Sequence, residues 1–301
     1  MGAVMEIISH HLVEHAQQLA REVSARALLI YADAIQGNGS FRQVLQKVDF
    51  PTILVTRSSD AALLHGFESR LWVTVPDINM TRAGQVKAAV LVCLVRGILK
   101  KGDRVVCLTG VSGSRSIDTL FVLNLGTEPE LFSLFDSPTL MGEVLPEVFE
   151  RVLTLATQLA VEGREGRPVG SLFVLGDSER VLAQSRSLVL NPFQGHPESQ
   201  RNILDPALAE TIKEFAALDG AFIVRADGVV LTAGTQLVPA TPYSRLPAGL
   251  GTRHAAAADI TATTASLSVC ISQSTGTVSV FRSGQMVTDI QRPTGSGGLS
   301  L

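Results

Sequence analysis

The chain has 301 residues, 46% of them apolar and 18% charged, with a formal net charge of -3. That length suits two domains with separate cores, and the composition folds readily, which excludes global disorder. The small net charge excludes a general attraction to nucleic acid or anionic lipid, so any anion site would have to be built locally from a few basic groups and backbone amides.

No apolar run reaches the roughly 18 residues needed to cross a bilayer, and the N-terminal stretch MGAVMEIISHHLVEHAQQLA lacks the basic start of a secretory signal. Cys93, Cys107 and Cys270 stand singly inside apolar stretches. Such spacing reads as buried thiols in a reducing compartment. The expectation is a soluble cytoplasmic protein with no membrane and no nucleic-acid partner.

In chain order, a first helix is expected over 5–23, where Met5, Ile8, Leu12, Ala16, Leu19 and Val23 share one face. An apolar run at 27–31 and a turn-prone Gly/Asn stretch at 36–40 follow. Short β-like runs recur at 52–56, 71–75, 104–108 and 120–125, with a mostly apolar helix over 82–99. Strands apolar on both faces and alternating with helices imply a parallel or mixed sheet covered on both sides, an α/β fold.

Between 126 and 142 the pattern is broken by Gly126, Pro129, Pro138 and Gly142. A helix resumes at 145–161, with Val148, Val152, Leu155 and Leu159 in one stripe. The charged, glycine-rich GREGRP at 163–168 reads as an exposed connection. The domain reading is therefore 1–126, then a linker and connecting helix over 127–168, a second domain over 169–292, and a flexible tail over 293–301. The second domain starts with a strand at 172–175 and a short helix at 178–185. A helix over 205–218 is opened by Asp-Pro. A hairpin of 221–224 and 229–232 turns at Ala226-Asp227-Gly228. A helix over 252–264 and strands at 267–271 and 278–281 complete it.

Two features could carry chemistry. Asp219-Gly220-Ala221 lies where a helix gives way to a strand. The glycine lets a ligand approach the main chain, and the carboxylate could bind Mg²⁺ or Mn²⁺ or accept a proton. Asp-Gly pairs also occur in plain turns, so the pair alone does not decide. The second is Gly251-Thr252-Arg253-His254 before an alanine-rich helix, where free first-turn amides and the helix dipole favour a phosphate. Thr252 can cap or donate, Arg253 supplies a forked charge, and His254 could meet phosphate or metal. An ordinary capped helix with a solvated Arg and His has the same spacing. Residues alone lead to a phosphate or nucleotide site with a possible divalent ion.

The ordered set over 171–281 resembles the diadenylate cyclase domain family. It comprises SLFVLGD at 171–177, Asn191-Pro192-Phe193, Asp219-Gly220-Ala221, Leu237-Val238-Pro239, GTRHAAA at 251–257, and Val269-Cys270-Ile271-Ser272-Gln273. The resemblance implies a mixed sheet flanked by helices and a reaction between two facing domains. Each domain holds one ATP, each 3′-hydroxyl attacks the α-phosphate of the opposing ATP, and cyclic di-AMP and two pyrophosphates result. It further implies self-association, with Asp219 and His254 at the catalytic metal, Mg²⁺ or Mn²⁺. Gly220 and Ala221 would lie at the nucleotide, Leu237 at the adenine, and Gly251, Thr252, Arg253 and Ser272 at the phosphates. Two positions depart from the usual pattern. Ala255 stands where the family has a second arginine, leaving its charge to Arg245 or to metal and backbone, and Gln273 stands where some members are acidic. The Arg-His-Ala form resembles the archaeal-type branch. A nucleotide sensor that has lost turnover is the alternative these departures allow.

Residues 5–126 resemble the C-terminal domain of pyruvate kinase, through SARALLIYAD at 24–33, FPTILVTRS at 50–58 and the run from Lys101 to Gly110. That implies an α/β/α sandwich that drives oligomerisation or senses a small molecule. The Gly/Ser-rich loop at 110–116 could cradle a phosphate but lacks a Walker ending. His10, His11 and His15 near one helical face read as solvated or partly packed histidines. A pyruvate-kinase-like phosphotransferase is a third reading; the chain lacks room for that family's catalytic barrel, and absence of phosphoenolpyruvate-dependent ATP formation would dispose of it.

Overall fold

The computed structural model describes residues 2–35, 43, 45–57, 67, 70–111, 116–127, 140–239 and 250–291. The turn at 36–40, most of the loop at 110–116, Arg245 and the tail at 293–301 lie outside the described residues. The chain divides into two compact units, one of 1–132 with 290–301 and one of 133–289.

In the first unit, helix α1 (Gly2–Glu22) buries Val13, Ala16 and Ala20 against a five-stranded sheet. The strands are β1 (Ala27–Tyr31), β2 (Thr52–Thr56), β3 (Leu71–Thr74), β4 (Arg104–Thr109) and β5 (Thr119–Asn124), in the order β3-β2-β1-β4-β5. The first four run parallel and β5 pairs antiparallel with β4. Every residue of β1 and β2 is buried, the pattern of parallel strands covered on both faces. Helix α2 (Arg82–Val95) is capped by Thr81, whose hydroxyl accepts from the Gly84 amide at 3.0 Å. It ends before the expected residue 99 because Gly97 takes a left-handed conformation, with φ of 68°.

In the second unit, α3 (Pro146–Glu162) starts on a proline and buries the expected stripe of Val148, Val152, Leu155 and Leu159. It packs on the second sheet rather than serving as a bare linker. Next come β6 (Leu172–Leu175), α4 (Ser178–Ala183) and β7 (Ser185–Ser187). The helix expected over 205–218 is a 3₁₀ turn (Pro206–Leu208), capped by Asp205, followed by α5 (Ala209–Phe215). The hairpin strands are β8 (Ala221–Val224) and β9 (Val230–Leu237), followed by α6 (Thr252–Thr263), β10 (Leu267–Ile271), β11 (Val278–Arg282) and β12 (Gln285–Ile290).

These strands form a mixed sheet in the order β12-β11-β10-β6-β8-β9-β7. Within it β6 and β8 are parallel, while β10 pairs antiparallel with β6 and β11. The two-residue period divides the core. Leu172, Val174, Ala221 and Ile223 lie under α6 with Ala257, Ala258, Ile260 and Phe281. Phe173 and Phe222 alternate with them and stack at 4.8 Å. All three cysteines are buried and free, and burial pushes the Cys93 and Cys270 thiols up to about 12. No described helix is long and apolar enough to cross a membrane.

Candidate active site

Three elements of the second unit converge on one cleft of about 340 Å³. Residues 219–221 enter β8, the end of β9 brings Thr235, Gln236 and Leu237, and the first turns of α6 bring Thr252, Arg253 and Ala256. Leu172 and Leu188 complete the wall.

Gly220 is fixed by two independent constraints. Its φ is 104°, a region side chains rarely enter, and a Cβ there would lie 2.5 Å from the Thr235 amide nitrogen. The β8–β9 register causes this approach: Ala221 pairs with Thr235, and the ladder is irregular from that point inward. The same register leaves Leu237 beyond the first residue of β8, while its other neighbour across the sheet is Ser185 of β7. A backbone edge that has outrun its partner strand offers an N–H and a C=O to a ligand.

Asp219 stands at this mouth with its side chain 90% exposed. Its Oδ1 accepts from Arg253 Nη2 at 3.2 Å. Helix α6 is N-capped by Gly251 with no side-chain hydrogen bond, and the Gly251 carbonyl already accepts from the amides of His254 and Ala255. The amides of Thr252 and Arg253 come before the first intrahelical bond, where an anion can meet them. Gly251 has φ of -80° and open space where a Cβ would be, so neither backbone nor packing demands a glycine there.

The structure thus gathers Asp219, Gly220, Ala221, Leu237, Thr252 and Arg253 around one cleft, with Gly251 at its edge. Ser272 lies apart, in the turn after β10, where its hydroxyl accepts from the Thr275 amide at 3.3 Å. His254 is not among the residues lining the cleft that holds Asp219 and Arg253. It is only 5% exposed, sits edge-on to Phe281 at 6.0 Å, and has Nε2 3.5 Å from Ser279 Oγ on β11. Burial holds its pKa below the ordinary histidine value. The cause is helical geometry. Thr252, Arg253 and Ala256 share the cleft-facing side, whereas His254 falls on the side of Ala257, Ala258 and Thr261, which face the core. Thr235, Gln236, Leu188 and Ala256 line the cleft without having stood out in the sequence. Only the one-turn spacing of Ala256 from Thr252 could have signalled any of them.

The fold and cleft define an α/β domain with a cleft suited to an anion. Residues 158–286 match the family described as "DisA bacterial checkpoint controller nucleotide-binding", and residues 9–132 match "Probable sensor domain DacZ_P". A diadenylate cyclase of Methanocaldococcus jannaschii is 27% identical, over 93% of this chain and 96% of its own length. A diadenylate cyclase of Haloferax volcanii is 29% identical, over 84% of this chain and 90% of its own. A solved structure of DacA from Staphylococcus aureus covers 48% of this chain and 87% of that chain, at 20% identity and a TM-score of 0.33, a likeness too slight to weigh. Residues 158–286, within the second unit, thus resemble the nucleotide-binding domain family to which the first match points, and the segment similar to a probable sensor domain precedes them.

Proposed function

We propose that this chain condenses two ATP molecules into cyclic di-AMP, releasing two pyrophosphates, with each cleft holding one nucleotide. The observation that carries the reading is the meeting of an exposed carboxylate, a forked cation and a free helix N-terminus in one cleft. The apolar groups Leu188 and Leu237 offer the base a surface. Leu237, beyond the end of β8, would turn its backbone N–H and C=O to the acceptor and donor that adenine shows side by side on its pairing edge. Guanine presents the reverse order there, so the same backbone edge favours adenine.

Thr252, Arg253 and the first amides of α6 would hold the triphosphate. Among the described residues no group of three or more His, Cys, Asp or Glu could hold a metal by itself. A single exposed carboxylate suits Mg²⁺ or Mn²⁺ that arrives with the nucleotide, because such ions are commonly held by one or two carboxylates plus substrate phosphates. The metal would neutralise charge building on the phosphates. Asp219 would ligate it and lie beside the 3′-hydroxyl. In each step a 3′-oxygen bonds to the opposing α-phosphorus, the bond to the pyrophosphate oxygen breaks, and the hydroxyl proton leaves to Asp219 or solvent. Holding nucleophile and phosphorus in line accounts for much of the rate gain in such transfers.

One cleft of this volume is the size of one small-molecule site, about 300–1,000 Å³. The second ATP therefore comes from a facing copy of the domain, and self-association is part of catalysis. The test is purified protein with ATP and either metal, with products resolved by mass spectrometry across a protein dilution series. Cyclic di-AMP forming at a rate that falls faster than linearly on dilution is expected. Untouched ATP with either metal would sink the proposal.

A further inference from the structure

We infer that Gly170 is a positioning residue, the floor of a notch that aims the Arg253 guanidinium across the cleft. This inference rests on the nucleotide role of Arg253 given above and adds a residue outside the cleft wall.

Gly170 is buried just ahead of β6, and its backbone does not require a glycine, since its φ is not among the positive ones. What excludes a side chain is packing. A Cβ there would lie 2.9 Å from the Gln273 Cβ, 3.1 Å from Arg253 Nη1 and 3.2 Å from the Gln273 amide nitrogen. The guanidinium therefore lies against bare backbone, with Nη1 over Gly170 and Nη2 on Asp219 at 3.2 Å. The strap carrying Gly170 is fastened on both sides. Gln273 Nε2 donates to the Pro168 carbonyl at 3.3 Å, and the Ile271 amide donates to the Ser171 carbonyl at 2.8 Å. Gln273, which offers no acidic ligand, instead holds this strap.

A long arginine reaching from the first turn of a helix has many rotamers, and most would carry its charge into solvent. The notch removes that freedom: the Arg253 side chain is 29% exposed, against 90% for Asp219. A guanidinium held in one plane presents its fork to a phosphate at little ordering cost when the nucleotide arrives. A methyl at residue 170 would press on the Gln273 Cβ and shift Nη1 by a few tenths of an ångström, enough to misalign the fork.

The experiment is calorimetric titration of Mg²⁺ and ATP into five full-length proteins. They are wild type, Gly170→Ala, Arg253→Lys, the double variant of these two, and Gly170→Ala with Gln273→Gly. Thermal unfolding is recorded for all five, and cyclic di-AMP formation for wild type. Gly170→Ala should weaken ATP binding about tenfold in the wild-type background, and less than about twofold beside Arg253→Lys, the non-additivity of residues in contact. Gln273→Gly removes the tightest steric contact but also the bond to the Pro168 carbonyl, so it should recover part of the melting temperature and leave ATP binding weak. Equal losses in both backgrounds, or ATP binding restored by Gln273→Gly, would overturn the inference. If Gly170→Ala alone folds poorly, the Gln273→Gly pair carries the comparison. Wild type that binds ATP with this coupling but forms no cyclic di-AMP would sink the cyclase proposal and leave the notch standing.

Discussion

Each unit of this protein contains an Asp–Arg pair near the entrance to a strand or the exit from one, and the two pairs are built to different ends. In the first unit, just past β1 and β2, Asp33 accepts from Thr56 Oγ1 at 3.0 Å and from Arg57 Nε at 2.8 Å, and also from the Arg57 amide. Both side chains are largely withdrawn from solvent, 14% and 20% exposed. In the second unit Asp219 has one long contact to Arg253 and remains 90% exposed. A pair satisfied several times over is a staple, and breaking it leaves a charge short of partners. A pair joined once at 3.2 Å in an open cleft can exchange partners when a metal or phosphate arrives. Number of bonds and exposure, rather than residue type, separate structure from chemistry here.

Substitution of each aspartate tests that contrast. Asp219→Asn keeps the shape but removes the charge. Cyclic di-AMP formation is expected to fall by about 10²–10⁴-fold, with a melting temperature close to wild type. A large loss of stability would mean that Asp219 is a staple after all. Asp33→Ala should do the reverse. Arg57 would keep only its longer contacts to Asp77, Asn79 and the Ile78 carbonyl, so the loss should cost the first unit about 2 kcal/mol of stability, read by denaturant unfolding, while ATP affinity stays within about twofold. If Asp33→Ala instead weakens ATP binding as much as Asp219→Asn, the contrast between the two pairs fails.

Much of this arrangement was legible from residue patterns. The buried strands β1, β2, β6 and β10 and helices α1 and α3 follow from apolar runs and stripes, because burial on both faces or along one face leaves a direct trace in composition. Two strands left none. β7 is three residues, Ser-Arg-Ser, at a sheet edge and mostly exposed; β12, Gln-Met-Val-Thr-Asp-Ile, mixes buried and open positions. The motif glycines told only half their story. The positive φ of Gly220 was foreseeable from its place between helix and strand, but its contact with Thr235 depends on a register that only the folded sheet sets. Gly170 carries no local signal at all, since what forbids its side chain comes from residues 83 and 103 positions away along the chain. His254 is the opposite case. Its neighbours Ala257, Ala258 and Thr261 repeat at the spacing of a buried helical face, so the core placement was readable there. Adjacency to Arg253 suggested a shared task, yet a step of one residue turns a helix by about 100°.

That rotation can be tested by pH. Burial lowers the pKa of His254, and no opposing charge contributes to the shift. The unfolded chain takes up this proton near pH 6.5, while the folded protein resists it until the pH is lower. Between those values the unfolded state binds more protons, so this contribution to stability is fully present above about pH 6.5 and is lost as pH falls through the folded value. His254→Gln cannot titrate. Its melting temperature should therefore decline less steeply than wild type between pH 7.5 and pH 5, after a general loss of about 1–2 kcal/mol from the altered packing. At pH 7.5 its affinity for ATP with Mg²⁺ should stay within about threefold of wild type, whereas loss of a metal ligand in direct contact would cost far more. Identical pH slopes in the two proteins would contradict the buried neutral imidazole. A collapse of metal-dependent ATP binding with the fold intact would return His254 to the cleft, beside Asp219, and undo the division of labour between successive residues of α6.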